Sequence, residues 1–142
     1  AYGARIMRPA GPGLINFETS YYDSQDDNNQ LRFLAGYEWD ARPNFTVGLQ
    51  YYLDRHDNRD NLHWLTNRLT YRTGRDRHTW SLFTFYSPSD DDWYLRPGYT
   101  YRHSDRWSIT AGANLFGGRD ADTFFNQLQD ASNAYVRVRF HY

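Results

Sequence analysis

Polar and apolar side chains take turns along most of this chain. Between residues 31 and 40, Leu31, Phe33, Ala35, Tyr37 and Trp39 fall on one parity, and Arg32, Leu34, Gly36, Glu38 and Asp40 on the other. The next segment sets Phe45, Val47, Leu49, Tyr51 and Leu53 against Thr46, Gly48, Gln50, Tyr52 and Asp54. A period of two marks a strand with two unlike faces, because successive side chains leave a strand on opposite sides. The pattern predicts eight strands, over residues 14–22, 31–41, 44–54, 63–73, 78–87, 93–103, 106–116 and 132–142. Each is close to the roughly 9–11 residues a tilted strand needs to cross a bilayer. Two segments are less regular: Asn67 falls among apolar positions, and Phe83 and Phe85 fall among polar ones. Pro97 removes a ladder hydrogen bond in the sixth segment, where a bulge is expected.

The connections alternate in length. Short turns hold Arg42-Pro43-Asn44, Gly74 to Arg77 and Ser104-Asp105-Arg106; longer, acidic links run from Asp23 to Gln30, Arg55 to Leu62, Pro88 to Asp92 and Gly117 to Ala131. A short helix is expected over Asp122–Gln129 in the last link. Aromatic residues on the apolar parity gather at the strand ends. Trp39, Phe45, Tyr71, Trp80, Tyr101, Trp107 and Tyr142 lie by the short turns, and Tyr21, Tyr51, Tyr86 and Trp93 by the long links. Leu49, Leu69, Leu82, Leu95, Ala111 and Val138 lie between them. Two aromatic girdles around an aliphatic band are how amphipathic rings distribute themselves at the two surfaces of a bilayer. The predicted fold is therefore all-β, an antiparallel up-and-down transmembrane barrel of about eight strands.

Composition sharpens this picture. The chain is polar on average, yet 19% of its 142 residues are aromatic, too many for a disordered segment. No apolar run approaches the length of a membrane helix. All sixteen cationic side chains are arginine, and the formal net charge is −1, so there is no basic surplus for a nucleic-acid partner. The absence of cysteine removes disulfides and thiolate metal sites. One domain over 1–142 is expected, with residues 1–13 either a leader or the remnant of a preceding strand. The chain opens at Ala1 without a signal peptide, as a processed or trimmed product would.

The closing segment, Ala134 to Tyr142, ends in an aromatic residue with apolar residues at every second position before it. In this it resembles the last strand of Gram-negative outer-membrane barrels of the porin type, although Phe is commoner than Tyr at the end. The resemblance implies an outer-membrane location and contact with the bilayer and its lipopolysaccharide. It also implies that Val136, Val138, Phe140 and Tyr142 serve as a signal for the barrel-assembly machinery. It leaves room for an oligomer, and for this chain being either a whole small barrel or part of a larger porin.

The inward parity carries the charges: Glu18, Arg32, Glu38, Asp40 and Asp54 on the earlier strands, and Arg68, Arg72, Arg96, Arg102, Arg137 and Arg139 on the later ones. Two expectations follow. A closed eight-stranded barrel has an interior that side chains fill. Its arginines would pair with the carboxylates, with Gln50, Asn114 and tyrosines completing a polar plug and leaving a structural, non-conducting role. A wider barrel would leave the arginines lining water, as a passive channel favouring small anions. Neither reading needs a cofactor or a catalytic residue. Enzyme chemistry has weaker candidates. His56, Asp57, Asp60 and His63 match no metal-ligand spacing, and nothing pairs Ser81, Ser108 or Ser132 with a histidine. Asp26-Asp27 and Asp90-Asp91-Asp92 are candidate cation ligands or solvated loop positions, and Gly117-Gly118 is a turn signal. A soluble ligand-binding barrel is disfavoured, because the large aliphatic residues share a face with the girdle aromatics.

Overall fold

The computed structural model describes residues 2–23, 29–56, 60–119, 122 and 127–142. They form nine strands: β1 (Tyr2–Ala10), β2 (Gly13–Tyr22), β3 (Gln30–Arg42), β4 (Phe45–His56), β5 (Leu62–Thr73), β6 (His78–Ser87), β7 (Asp92–Arg102), β8 (Trp107–Gly118) and β9 (Asn133–Phe140). Every strand is antiparallel to the next, and the sheet order is the chain order. Short connections favour this arrangement, since a tight turn returns the chain directly beside itself. Gly11 (φ 57°) and Asn44 (φ 63°) supply the left-handed backbone that two of these turns require.

Three expectations change. There are nine strands rather than about eight, because Tyr2–Ala10 is a full strand paired with β2 from Tyr2↔Tyr21 to Ala10↔Gly13. The sheet is also open. Among the described elements no strand approaches any strand but its chain neighbours, so β1 and β9 each keep one free edge. Finally, Pro97 makes no bulge. The pairs around it drop out of the β7–β8 ladder, but Leu95↔Leu115 and Gly98↔Gly112 keep one register, so no residue is inserted. A missing N–H costs hydrogen bonds without shifting the strand. The register shift lies instead at Asp40/Arg42, beside the β3–β4 turn. The helix expected over Asp122–Gln129 falls largely outside the described residues; a one-turn 3-10 helix spans Gln129–Ala131.

Register fixes the faces. Directly opposed residues share a side of the sheet, so one assignment propagates from strand to strand. Phe45, Tyr71, Trp80 and Tyr99 form one continuous row across β4–β7, and Tyr51, Leu65, Tyr86 and Trp93 form another. Between them run Val47–Leu69–Leu82 and Leu49–Asn67–Thr84–Leu95. Ring contacts tie the first row together, with centroids 6.1 Å apart for Phe45–Tyr71 and 4.3 Å for Trp80–Tyr99.

What is missing is a core. Val47 is the only buried hydrophobic residue among those described, while Trp80, Val136 and Val138 are 52%, 73% and 59% exposed. The accessible surface is 10479 Å². A compact monomer of 16.9 kDa would expose about 7,700 Å². A sheet buries its apolar face against a second layer or against some other cover. Among the described residues no second layer supplies one.

Candidate functional site

The opposite face of the sheet collects the charged side chains. Register places Arg5 beside Glu18, Ser20 beside Arg32, and Arg32 beside Asp54. It sets Glu38 and Arg68 on either side of Gly48, Asp40 beside Thr46, and Arg96 beside Phe83. Arg72 faces Thr79, Ser108 lies between Arg102 and Arg139, and Arg137 faces Thr110. All eleven charged residues singled out from the sequence thus share one face. They are also segregated. Glu18, Glu38, Asp40 and Asp54 stand on β2–β4, whereas the arginines at 68, 72, 96, 102, 137 and 139 stand on β5, β7 and β9.

The acidic half has one closely bonded centre. Asp54, only 7% exposed, accepts two hydrogen bonds from the Gln30 amide, at 2.8 and 2.9 Å. His56 Nε2 lies 3.3 Å from its Oδ1, and the Tyr52 hydroxyl donates to Oδ2 over 3.4 Å. Arg32 Nε lies 3.5 Å from Oδ2, an ionic contact without hydrogen-bond geometry. These partners offset part of the cost of taking a carboxylate out of water.

The basic half is organised differently. Among the described residues none of its six arginines forms an ion pair; the described pairs are at Asp54 and, in the loops, Arg119–Asp91. In this open sheet the acidic and basic halves lie apart, and the arginine–carboxylate pairing expected of a polar plug is not seen between them among the described residues. Two of the six meet rings instead: Arg68 lies 5.8 Å from the Phe83 centroid and Arg137 6.0 Å from that of Tyr135. Arg102, Arg137, Arg139 and His141 border a cavity of about 700 Å³ with Thr100, Ser108 and Thr110.

Above the arginines lies a feature that the sequence pattern did not bring out. Tyr52 stacks on Trp64 (4.9 Å, 18°), Trp64 meets Phe85 (5.6 Å), and Tyr94 stacks on Phe116 (4.8 Å, 14°). Phe85 and Tyr94 are register partners, so rings cross the polar face from β4 to β8. The inward positions of Tyr52 and Phe85 were signals of it in the sequence, but adjacency across five strands requires the register. Gln50 and Asn114 do join side-chain networks, with Thr66 and with Tyr94 and Asn133.

The weaker candidates separate. His56 pairs in register with Gln30 on the polar face, and His63 with Leu53 on the apolar face, where its Nδ1 lies 2.6 Å from the Tyr51 hydroxyl. The two histidines cannot share a ligand, and Asp57 lies outside the described residues. Ser81 donates to the Gly98 carbonyl (3.4 Å), and Ser132 accepts the Phe116 N–H (3.2 Å). Asp90 and Asp91 are engaged by Ser87, Tyr86 and Arg119, while Asp26-Asp27 lie outside the described residues. No group of metal-binding side chains assembles among the described residues. Val136 and Val138 stand on the apolar face opposite Ala111 and Ile109, and Phe140 opposite Trp107, with the Phe140–Trp107 centroids at 4.8 Å. Tyr142 follows the end of β9, its ring 5.8 Å from Phe140.

In comparisons with protein-family models, curated proteins and solved structures, nothing matched this chain.

Proposed function

We propose that this chain is part of the wall of an outer-membrane β-barrel whose polar face lines a water-filled passage for small anionic solutes. The observation that carries the reading is a single-layer sheet that, among the described residues, buries no hydrophobic side chain but Val47. One face is apolar and bounded by two aromatic rows, and the other is charged. Lipid is the cover that such an apolar face fits, since a bilayer supplies an apolar medium about as tall as the aliphatic band of a barrel wall. The strands, 8–13 residues long, have the length for a tilted crossing. Inside a bilayer every peptide group must be bonded. The free edges of β1 and β9 are accordingly closed by further strands, making a barrel wider than nine. A wide barrel keeps its lumen wet, and the six unpaired arginines then favour anions. In this reading the chain meets bilayer lipid and lipopolysaccharide outside, the assembly machinery reads β9, and passage is passive.

The natural absence of cysteine gives a clean test. In cells, Thr70→Cys on the polar face should react with impermeant thiol reagents, and Leu69→Cys on the apolar face should not. At Thr70→Cys an anionic methanethiosulfonate should outpace a cationic one. Equal labelling of the two positions contradicts the wall; faster cationic labelling contradicts the anion preference.

A further inference from the structure

On the polar face, Gly98 and Gly112 oppose each other across β7–β8, and Ser81 and Thr70 continue their row onto β6 and β5. The two glycines make this row low, and Ser81 Oγ leans over Gly98, where a Cβ would come within 2.7 Å of it. Taller rows enclose it. On one side stand Arg68, Phe83 and Arg96, in register. On the other stand Thr100 and Thr110, joined by one hydroxyl–hydroxyl hydrogen bond of 3.0 Å. Tyr135 closes the β9 end by lying against Gly112, where a Cβ would come within 2.7 Å of its ring. Phe83 and Tyr94 meet edge to face, 6.1 Å and 60° apart, at the upper wall. The cavity so bounded measures about 380 Å³. That falls within the range of about 300–1,000 Å³ that holds small organic ligands.

We propose that this cleft binds aromatic carboxylates. The assignment rests on the polar face being open to water, as proposed above, and adds a ligand class to it. Arg68 and Arg96 flank Phe83 with their backbones about 10 Å apart, two interstrand steps, which lets both guanidinium groups reach one carboxylate. Neither has an ion-pair partner among the described residues. The Phe83, Tyr94 and Tyr135 rings that border the cleft suit a flat ring, through offset and edge-on contacts. A sugar acid fits less well, because its hydroxylated faces gain less from these rings than a flat ring does.

The test uses the full chain folded in detergent micelles, with salicylate, itself fluorescent, as the probe. Its anisotropy should rise on binding. Benzoate should displace it at a concentration about tenfold or more below that needed with cyclohexanecarboxylate, acetate or glucuronate. Arg68→Gln and Arg96→Gln should each weaken salicylate by about tenfold, the effect of losing one charge-assisted hydrogen bond. Arg75→Gln, in the β5–β6 turn, should leave binding unchanged. Equal displacement by cyclohexanecarboxylate or glucuronate overturns the aromatic assignment, and intact binding in both arginine variants overturns the site. Absence of binding in a chain that shows the thiol-labelling pattern above overturns the site and leaves the wall standing. Failure of that labelling pattern counts against the wall itself.

Discussion

Arg32 and Asp54 are register partners on β3 and β4, with the guanidinium Nε 3.5 Å from the carboxylate. Their environments differ: the Asp54 side chain is 9% exposed and that of Arg32 42%. Asp54 is the centre and Arg32 its outermost contact. Removing the centre strands the Gln30 amide and His56, whereas removing Arg32 takes away one ionic contact that lacks hydrogen-bond geometry. Asp54→Ala should therefore destabilise the folded chain by about 1–3 kcal/mol, and Arg32→Ala by less than about 1 kcal/mol. Urea titration in detergent or lipid vesicles reads the difference, and the reverse order of effects would show that Asp54 is not the centre.

Leu49 lies between Tyr37 and Asn67 on the apolar face, and its chain neighbour Gln50 lies between Gly36 and Thr66 on the polar face. Leu49→Arg should cost about 2–4 kcal/mol of membrane insertion if it sits near the midplane. Gln50→Arg should insert normally. Folding yields into vesicles, compared for the pair, check the faces with a single step along the strand.

Gly13 opposes Trp39 where β2 enters the sheet, and a Cβ there would collide with the fixed Glu38 carbonyl oxygen. At Gly3 the nearest atom would be 3.4 Å away, ordinary contact. Gly13→Ala should thus destabilise by about 1–3 kcal/mol, as overpacking does, and Gly3→Ala by little. Denaturant midpoints measured side by side make the comparison.

Arg137 faces Thr110 on the polar side of β9, beside Val136 and Val138 on the apolar side. Arg137→Leu should leave insertion intact while narrowing the preference for the anionic thiol reagent at a nearby Ser108→Cys. Added salt should narrow it as well, by screening. An insertion defect in this variant would mean that the inner and outer faces are exchanged.

Much of the fold was legible because a period of two survives in nearly every segment. His78–Ser87 is a strand over the predicted residues, and the other seven predicted strands differ from the structure by no more than two residues at either end. β1 was harder to read. Its apolar parity holds Tyr2, Ala4, Ile6 and Arg8, and Pro9 stands near its end, so its alternation is faint and only β2 fixes it. Openness was not legible at all. Alternation states which face a residue takes, but whether the first and last strands meet depends on tilt and stagger, which no local pattern records. The charged residues were found for the same reason that the strands were. The ring row from Tyr52 to Phe116 and the cleft over Gly98 and Gly112 were not, because each is built from single residues of successive strands.

Trp64 is the one tryptophan of five on the polar face; Trp39, Trp80, Trp93 and Trp107 all stand on the apolar face. Five variants, each keeping a single tryptophan, can be placed in vesicles whose acyl chains carry bromine, a quencher confined to the oil. Emission from Trp39, Trp80, Trp93 and Trp107 should be quenched by the lipid, and that from Trp64 by aqueous iodide only. Lipid quenching of Trp64, or iodide quenching of the other four, would contradict a sheet that keeps oil on one side and water on the other.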